Sequence, residues 1–270
     1  MRERLRRKIA GSKPILAVAA GIPLTAKAAH DSGADFIITH KEAVFGADGR
    51  LPVIARTGYG GNGNDIMMRM AEKFAAAAKG TPVIAGVGPA EPYMNVDRYT
   101  DRLLNQGIAG VTNYPTAGGW VGSYGNGIRI AGVGYSLEVE YIKRWSMRGV
   151  LTVGYCFTPE QVKQMIEADA AILSLYVPRT EKESHGWDDA PCVESAVETA
   201  LKLFETAREE DKDRILLFSG ATISNITDIS YYLKTTKAHG YISDELVECS
   251  IIEQGVVNAV SGYRRLKVHV

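Results

Sequence analysis

The stretch Gly149–Tyr176, GVLTVGYCFTPEQVKQMIEADAAILSLY, decides the fold. Gly149–Cys156 is a continuous apolar run, as expected of a strand covered on both faces. Thr158-Pro159-Glu160 then opens a helix with proline at its first position, where the missing N–H would be unpaired anyway. Ala170–Tyr176 is a second apolar run. Two buried strands joined by a helix make a parallel βαβ unit with a right-handed crossover.

The same alternation extends in both directions. Upstream, strands are expected at Pro14–Ala19, Asp35–His40, Pro82–Val87 and Ile108–Asn113. Helices Ile22–Ser32, Asp65–Lys79, Asp97–Gln106 and Leu137–Met147 lie between them, with Asn64 and Ser136 as expected caps for the second and fourth. Downstream come a helix ending near Glu209, strands Arg214–Ser219 and Gly240–Ile242, and helices Ser224–Ala238 and Glu245–Tyr263, the last capped by Ser243-Asp244. A further helix, Arg2–Gly11, occupies residues 1–12 ahead of the first strand. Eight strand–helix units close into a (β/α)8 TIM barrel, which needs about 250 residues. The expected fold is therefore α/β, a single TIM-barrel domain over 1–270 with an extra N-terminal helix. An open doubly wound sheet is the alternative.

Lys+Arg and Asp+Glu both number 31, so the formal net charge is zero. A balanced charge gives no electrostatic reason to expect nucleic acid or an anionic membrane surface. The basic RERLRRK near the N-terminus reads as the solvated face of a helix. Three cysteines, Cys156, Cys192 and Cys249, lack Cys-x-x-Cys spacing and fit a reducing compartment. With no signal-peptide pattern and no apolar run near the ~18 residues of a membrane span, a cytoplasmic protein is expected.

In such barrels the active site lies in the loops after the strands. The longest candidate is 113–135, glycine-rich and aromatic, expected to form the wall and lid of a small-molecule site. His40 ends the second strand and is a candidate acid or base, with Lys41 and Glu42 beside it. Glu138, at the start of the helix behind the lid, is the other acid–base candidate. Asn113, polar at the end of an apolar strand, is expected to hold a substrate carbonyl or carboxylate. Arg129, a lone cation in an uncharged loop, suits a bidentate grip on an anion. Gly21, Tyr93, Tyr114, Thr116 and Tyr155 stand at strand ends as further substrate contacts. Ser219, Gly220 and Ser243 follow strands seven and eight, where barrels commonly bind an anionic group. No metal-ligand motif occurs, leaving Mg2+ on Glu91 and water as the one metal arrangement open. No strand carries a Schiff-base lysine, and TGYGGNGN at 57–64 lacks the Gly-Lys-Ser/Thr of a nucleotide loop.

The succession PILAVAAGIPLTAKAAHDSGADFIITH (14–40), TPVIAGVGPAEPY (81–93), GIAGVTNYPTAGGWVG (107–122), GYSLEVEYIKR (134–144) and GVLTVGYCFTPEQV (149–162) resembles the phosphoenolpyruvate hydrolase-like family, also described as TIM-barrel signal transduction proteins. That family is distantly similar to the phosphoenolpyruvate mutase/isocitrate lyase enzymes. The likeness is most specific at Val111–Gly118 and Gly134–Glu140. It implies a homo-oligomeric barrel acting on a small anionic metabolite. The reaction implied is cleavage of a phosphoenolpyruvate- or phosphonopyruvate-like acid, by hydrolysis or as a lyase. This chain departs from the family pattern in its second half: Tyr176-Val177-Pro178 stands where a His-x-Gly element is expected, and Phe218-Ser219-Gly220 where a His-Gly-Gly turn is expected. A non-catalytic metabolite sensor or scaffold is the competing expectation.

Overall fold

The computed structural model describes residues 1–50, 54–55, 60–88, 94–177, 193–220, 226–243 and 245–266. Eight parallel strands form a closed barrel in sequence order. They are β1 (Ile15–Ala19), β2 (Phe36–Thr39), β3 (Val83–Gly86), β4 (Gly110–Thr112), β5 (Leu151–Cys156), β6 (Ile172–Val177), β7 (Ile215–Gly220) and β8 (Gly240–Ile242). The barrel closes where β1 pairs with β8, Ala17 opposite Ile242, so the open-sheet alternative is excluded. Outside lie α2 (Pro23–Asp31), α3 (Lys41–Ala47), α4 (Gly63–Ala77), α5 (Val96–Asn105), α6 (Gly122–Ile130), α7 (Tyr135–Met147), α8 (Pro159–Glu167), α9 (Val193–Glu210), α10 (Ile226–Thr236) and α11 (Glu245–Tyr263), after α1 (Arg2–Ala10) at the N-terminus.

Side chains alternate across each strand, which separates the apolar residues into two layers. Ile15, Ala17, Phe36, Ile38, Ile84, Val153, Ile172, Leu217 and Ile242 pack together inside the barrel. Ile37, Val83, Ala85, Val111, Leu173, Leu175, Leu216 and Phe218 meet the helices outside. Leu5 of α1 is fully buried in the inner layer, so this helix stops the N-terminal end of the barrel; burying one leucine is worth about 2 kcal/mol. Lys8 holds Asp35 at 2.5 Å, and Asp35 also accepts from Leu16 N–H at 2.8 Å. Part of the basic N-terminal cluster is thus docked against the barrel.

Three local expectations are corrected. The helix before β3 starts at Gly63, and its cap is Asn62, whose side chain accepts from Asn64 N–H at 2.8 Å. Asn64 is buried instead, with its amide clamping both N–H and C=O of Gly88 at 3.0 and 2.9 Å. The helix after β4 starts at Tyr135 with Gly134 at its cap, so Ser136 lies inside it. The segment 113–135 is also not loop throughout: α6 occupies Gly122–Ile130, with no buried residue.

The eighth helix of the barrel is the irregular one. Glu248 of α11 is buried, and α11 packs on α3. Beyond it, Ile251, Ile252, Val256, Val257, Val260 and Tyr263 are all exposed. Leu16, on the outward face of β1, is 42% exposed although it belongs to a barrel strand. Among the described residues, no helix is long and apolar enough to cross a membrane.

Candidate active site

At the C-terminal ends of the strands, inward positions carry polar and aromatic groups. His40, Tyr114 and Tyr155 form a buried row, with ring centroids 4.4 Å apart for the first pair and 4.8 Å for the second. His40 Nδ1 accepts from the backbone N–H of Ala43 at 3.2 Å and so caps α3. An N–H can only donate, so Nδ1 offers its lone pair and the neutral ring carries its proton on Nε2. This makes His40 a hydrogen-bond donor at the other nitrogen. Tyr114 Oη donates to the fully buried Glu42 at 2.7 Å. The pair is separated by 72 positions in the chain and was not foreseen from the sequence beyond Glu42 lying beside His40.

Behind this row, between β4 and α7, lies a second polar network. Glu138 is buried and takes three hydrogen bonds: Asn113 Nδ2 at 2.7 Å and Thr116 Oγ1 at 2.6 Å on Oε2, and the Ala117 N–H at 2.6 Å on Oε1. Burial pushes its carboxyl up to about 7 against those three donors, which pull the other way. Asn113 uses its amide oxygen to accept from Tyr155 N–H at 2.8 Å. Tyr135 Oη donates to Tyr155 C=O at 2.7 Å, and burial raises its phenol well above the ordinary range. The neighbouring Cys156 thiol is pushed by burial up to about 12, which leaves it unreactive at neutral pH. Gln161, in the Thr158 cap, accepts from Phe157 N–H and donates to Gly118 C=O at 2.9 Å. The loop 113–118 is therefore fixed from α7 and α8 together.

The structure brings His40, Tyr114 and Tyr155 together at the mouth, and Asn113, Thr116 and Glu138 together behind it. Arg129 does not join them: it is exposed on α6, with its guanidinium on Asn126 Oδ1 at 2.6 Å. Gly21 gives its N–H to Glu248 at 2.7 Å, and a Cβ there would lie 2.0 Å from Ala43 O, so close packing of α3 accounts for the glycine. Gly220 has φ +75, and a Cβ would meet Tyr176 at 2.5 Å. Ser219 and Ser174 bond to each other at 2.7 Å on the inner face. Ser243 stitches β8 to β1, its Oγ accepting from Ala19 N–H at 3.2 Å. Tyr93, Glu91, Cys192 and Asp244 lie outside the described residues.

The described carboxylates do not fit a divalent-metal site. Glu42, Glu138 and Glu248 are held apart, each on hydrogen-bond donors of its own. Among the described residues, no group of three His, Cys, Asp or Glu could hold an ion.

Residues 1–266 match the family described as phosphoenolpyruvate hydrolase-like. The chain belongs to this family. Among curated proteins it is similar to the ToMV susceptible protein tm-1(GCR26) of Solanum lycopersicum, 29% identical over 267 residues, covering 98% of this chain and 35% of that one. The chain spans between 35% and 41% of the length of the curated relatives it matches. The barrel is shared with a solved phosphoenolpyruvate phosphomutase from Streptomyces platensis subsp. rosaceus, at TM-score 0.62 and 14% identity over 97% of this chain and 85% of that one. It is shared also with phosphonopyruvate hydrolase, solved in complex with oxalate and Mg2+, at TM-score 0.59 and 13% identity over 98% and 87%.

Proposed function

We propose that the barrel mouth cleaves a small carboxylic acid, as a hydrolase or lyase on a phosphoenolpyruvate- or phosphonopyruvate-like substrate. The observation that carries this reading is the buried His40–Tyr114 pair at the barrel mouth. His40, whose Nδ1 accepts the Ala43 N–H at 3.2 Å, would stabilise the oxygen of a carbonyl or enolate through its imidazole. Tyr155 and Ser219 complete the inner lining, and Asn113, Thr116 and Glu138 fix the loop that closes beside it. Membership of the phosphoenolpyruvate hydrolase-like family supports the substrate class. The reading routes no step through Mg2+, because the described carboxylates are engaged elsewhere.

The chain is also proposed to assemble as a homo-oligomer, with a second copy of itself covering α11. The apolar side chains from Ile251 to Tyr263 stand exposed, and so does Leu16 on the outward face of β1, at 42%. One copy's α11 would cover the exposed Leu16 of the other.

A second reading, a metabolite-binding module without turnover, draws on the similarity to the ToMV susceptible protein tm-1(GCR26), of which this chain spans 35%. A thermal-shift screen with phosphoenolpyruvate, phosphonopyruvate, oxaloacetate and oxalate, with and without Mg2+, tests both. A shift accompanied by product supports cleavage, and a shift without product supports the module. No shift with any acid overturns the site.

A further inference from the structure

We propose that Glu248 is a positioning residue for the barrel mouth, held in place by a second copy seated on α11. The assembled protein then carries an ordered mouth, and the single copy a loosened one. The inference rests on the homo-oligomer reading above and names the regulation of the same site. Its geometric basis is a clamp between the last helix and the turn after β1. Glu248 is buried; its Oε2 accepts from Gly21 N–H at 2.7 Å, and its Oε1 accepts from the Thr25 hydroxyl. Gly21 follows the C-terminal end of β1, and Thr25 lies in the first turn of α2.

The clamp reaches the mouth through one residue of α3. Gly21 lies so close to Ala43 that a Cβ on it would stand 2.0 Å from the Ala43 carbonyl oxygen, and 2.7 Å from the Ala47 Cβ. The N–H of the same Ala43 donates to His40 Nδ1 at 3.2 Å. Ala43 is therefore held on its carbonyl side by the turn after β1 and on its amide side by the histidine. α11 also packs on α3 directly. Coupling between separate places is carried by contiguous contacts when one element among them has two arrangements. The succession Glu248, Gly21, Ala43, His40 is contiguous, and α11 is that element.

Two arrangements follow from how little of α11 is attached to its own barrel. Among its described residues Glu248 is buried and Cys249 half-buried, and everything from Ile251 to Tyr263 is exposed. Most helical stability in proteins comes from packing an apolar face, and isolated helices shorter than about 12–15 residues are marginal in water. Gly255 and Gly262 weaken this stretch further, as do the β-branched Val256, Val257 and Val260. Left uncovered it frays, and Glu248 stands within one turn of Ile251. Covered by a second copy it stays helical, and the carboxylate stays on its two donors.

The test uses the full chain as wild type, Glu248→Gln, Glu248→Asp, and Val256→Glu combined with Val260→Glu. Each is followed by light scattering and by amide hydrogen exchange in NMR. Exchange is read at Gly21 and Ala43, with Leu216, whose N–H donates to His239 at the start of β7, as the reference. The double variant should be a monomer whose Gly21 and Ala43 amides exchange about tenfold faster or more relative to Leu216, with the His40 imidazole signals shifted. Glu248→Gln should produce the same changes, and Glu248→Asp should restore part of the wild-type pattern. A merely structural role for Glu248 would raise all three amides together and leave the imidazole signals in place. If wild type assembles and the monomeric double variant keeps wild-type exchange at Gly21 and Ala43, the coupling is overturned and the homo-oligomer reading stands. That comparison decides the matter even where Glu248→Gln does not fold, because the double variant leaves every residue of the clamp intact. A wild type that is monomeric, or a double variant that stays assembled, overturns both.

Discussion

Raising the pH should destabilise this protein through one residue, Glu138. Its carboxyl is buried between α7 and the loop after β4 and sits at about 7 where an exposed glutamate sits at 4.5. The folded state therefore binds a proton that the unfolded chain has already released between those two values. A group raised in the folded state stabilises fully below its unfolded value, and that stability is lost as pH climbs through the folded value. The rise from 4.5 to about 7 corresponds to about 3 kcal/mol, with a slope no steeper than about 1.4 kcal/mol per pH unit. Urea denaturation of wild type and Glu138→Gln between about pH 4.5 and pH 8 isolates the effect, because all other titrating groups are common to both proteins. Wild type should lose stability relative to the variant as pH rises, most steeply between 4.5 and about 7, and level off above that. Parallel curves would refute the reasoning. So would a wild type that gains on the variant with rising pH, which would mean that the donors from Asn113, Thr116 and Ala117 outweigh burial.

Asn113→Ala leaves the Tyr155 N–H and one Glu138 oxygen short of a partner in a buried setting, so a loss of about 2–4 kcal/mol is expected by denaturant midpoint. Gly21→Ala places a methyl 2.0 Å from Ala43 O and should cost about 1–3 kcal/mol or more, read as a lowered melting temperature. If α11 carries the proposed homo-oligomer, Val256→Glu combined with Val260→Glu should turn an assembled wild type into a monomer by light scattering without lowering the melting point of the barrel. An assembly that survives both charges would remove α11 from the interface.

The barrel was legible because its strands are buried on both faces, so apolar runs such as ILLFS before Gly220 stand out from their surroundings. The last helix was readable for the same kind of reason, its start following β8 at once. Two helices were hidden. The segment GSYGNGIRI of α6 holds three glycines, each costing about 1 kcal/mol in a helix, and buries nothing, so it carries no apolar period. In α3 the cap is a histidine, which is outside the residue types that ordinarily mark a helix start. Site residues were legible as types at strand ends, but not as partners. Asn113 meets Glu138 across 25 positions and Tyr114 meets Glu42 across 72. Only the closed barrel supplies those distances. The same holds for Arg129: a lone cation in a glycine-rich segment reads as an anion clamp until α6 turns it outward.

The most direct test of the account is a time course of acid cleavage by wild type, read by proton and phosphorus NMR against His40→Ala and Tyr114→Phe controls. Product that accumulates with wild type and is lost by about 10²-fold or more in both controls is the predicted result. Equal accumulation in all three proteins, or none in wild type, would contradict the assignment of the barrel mouth as the place where the acid is cleaved.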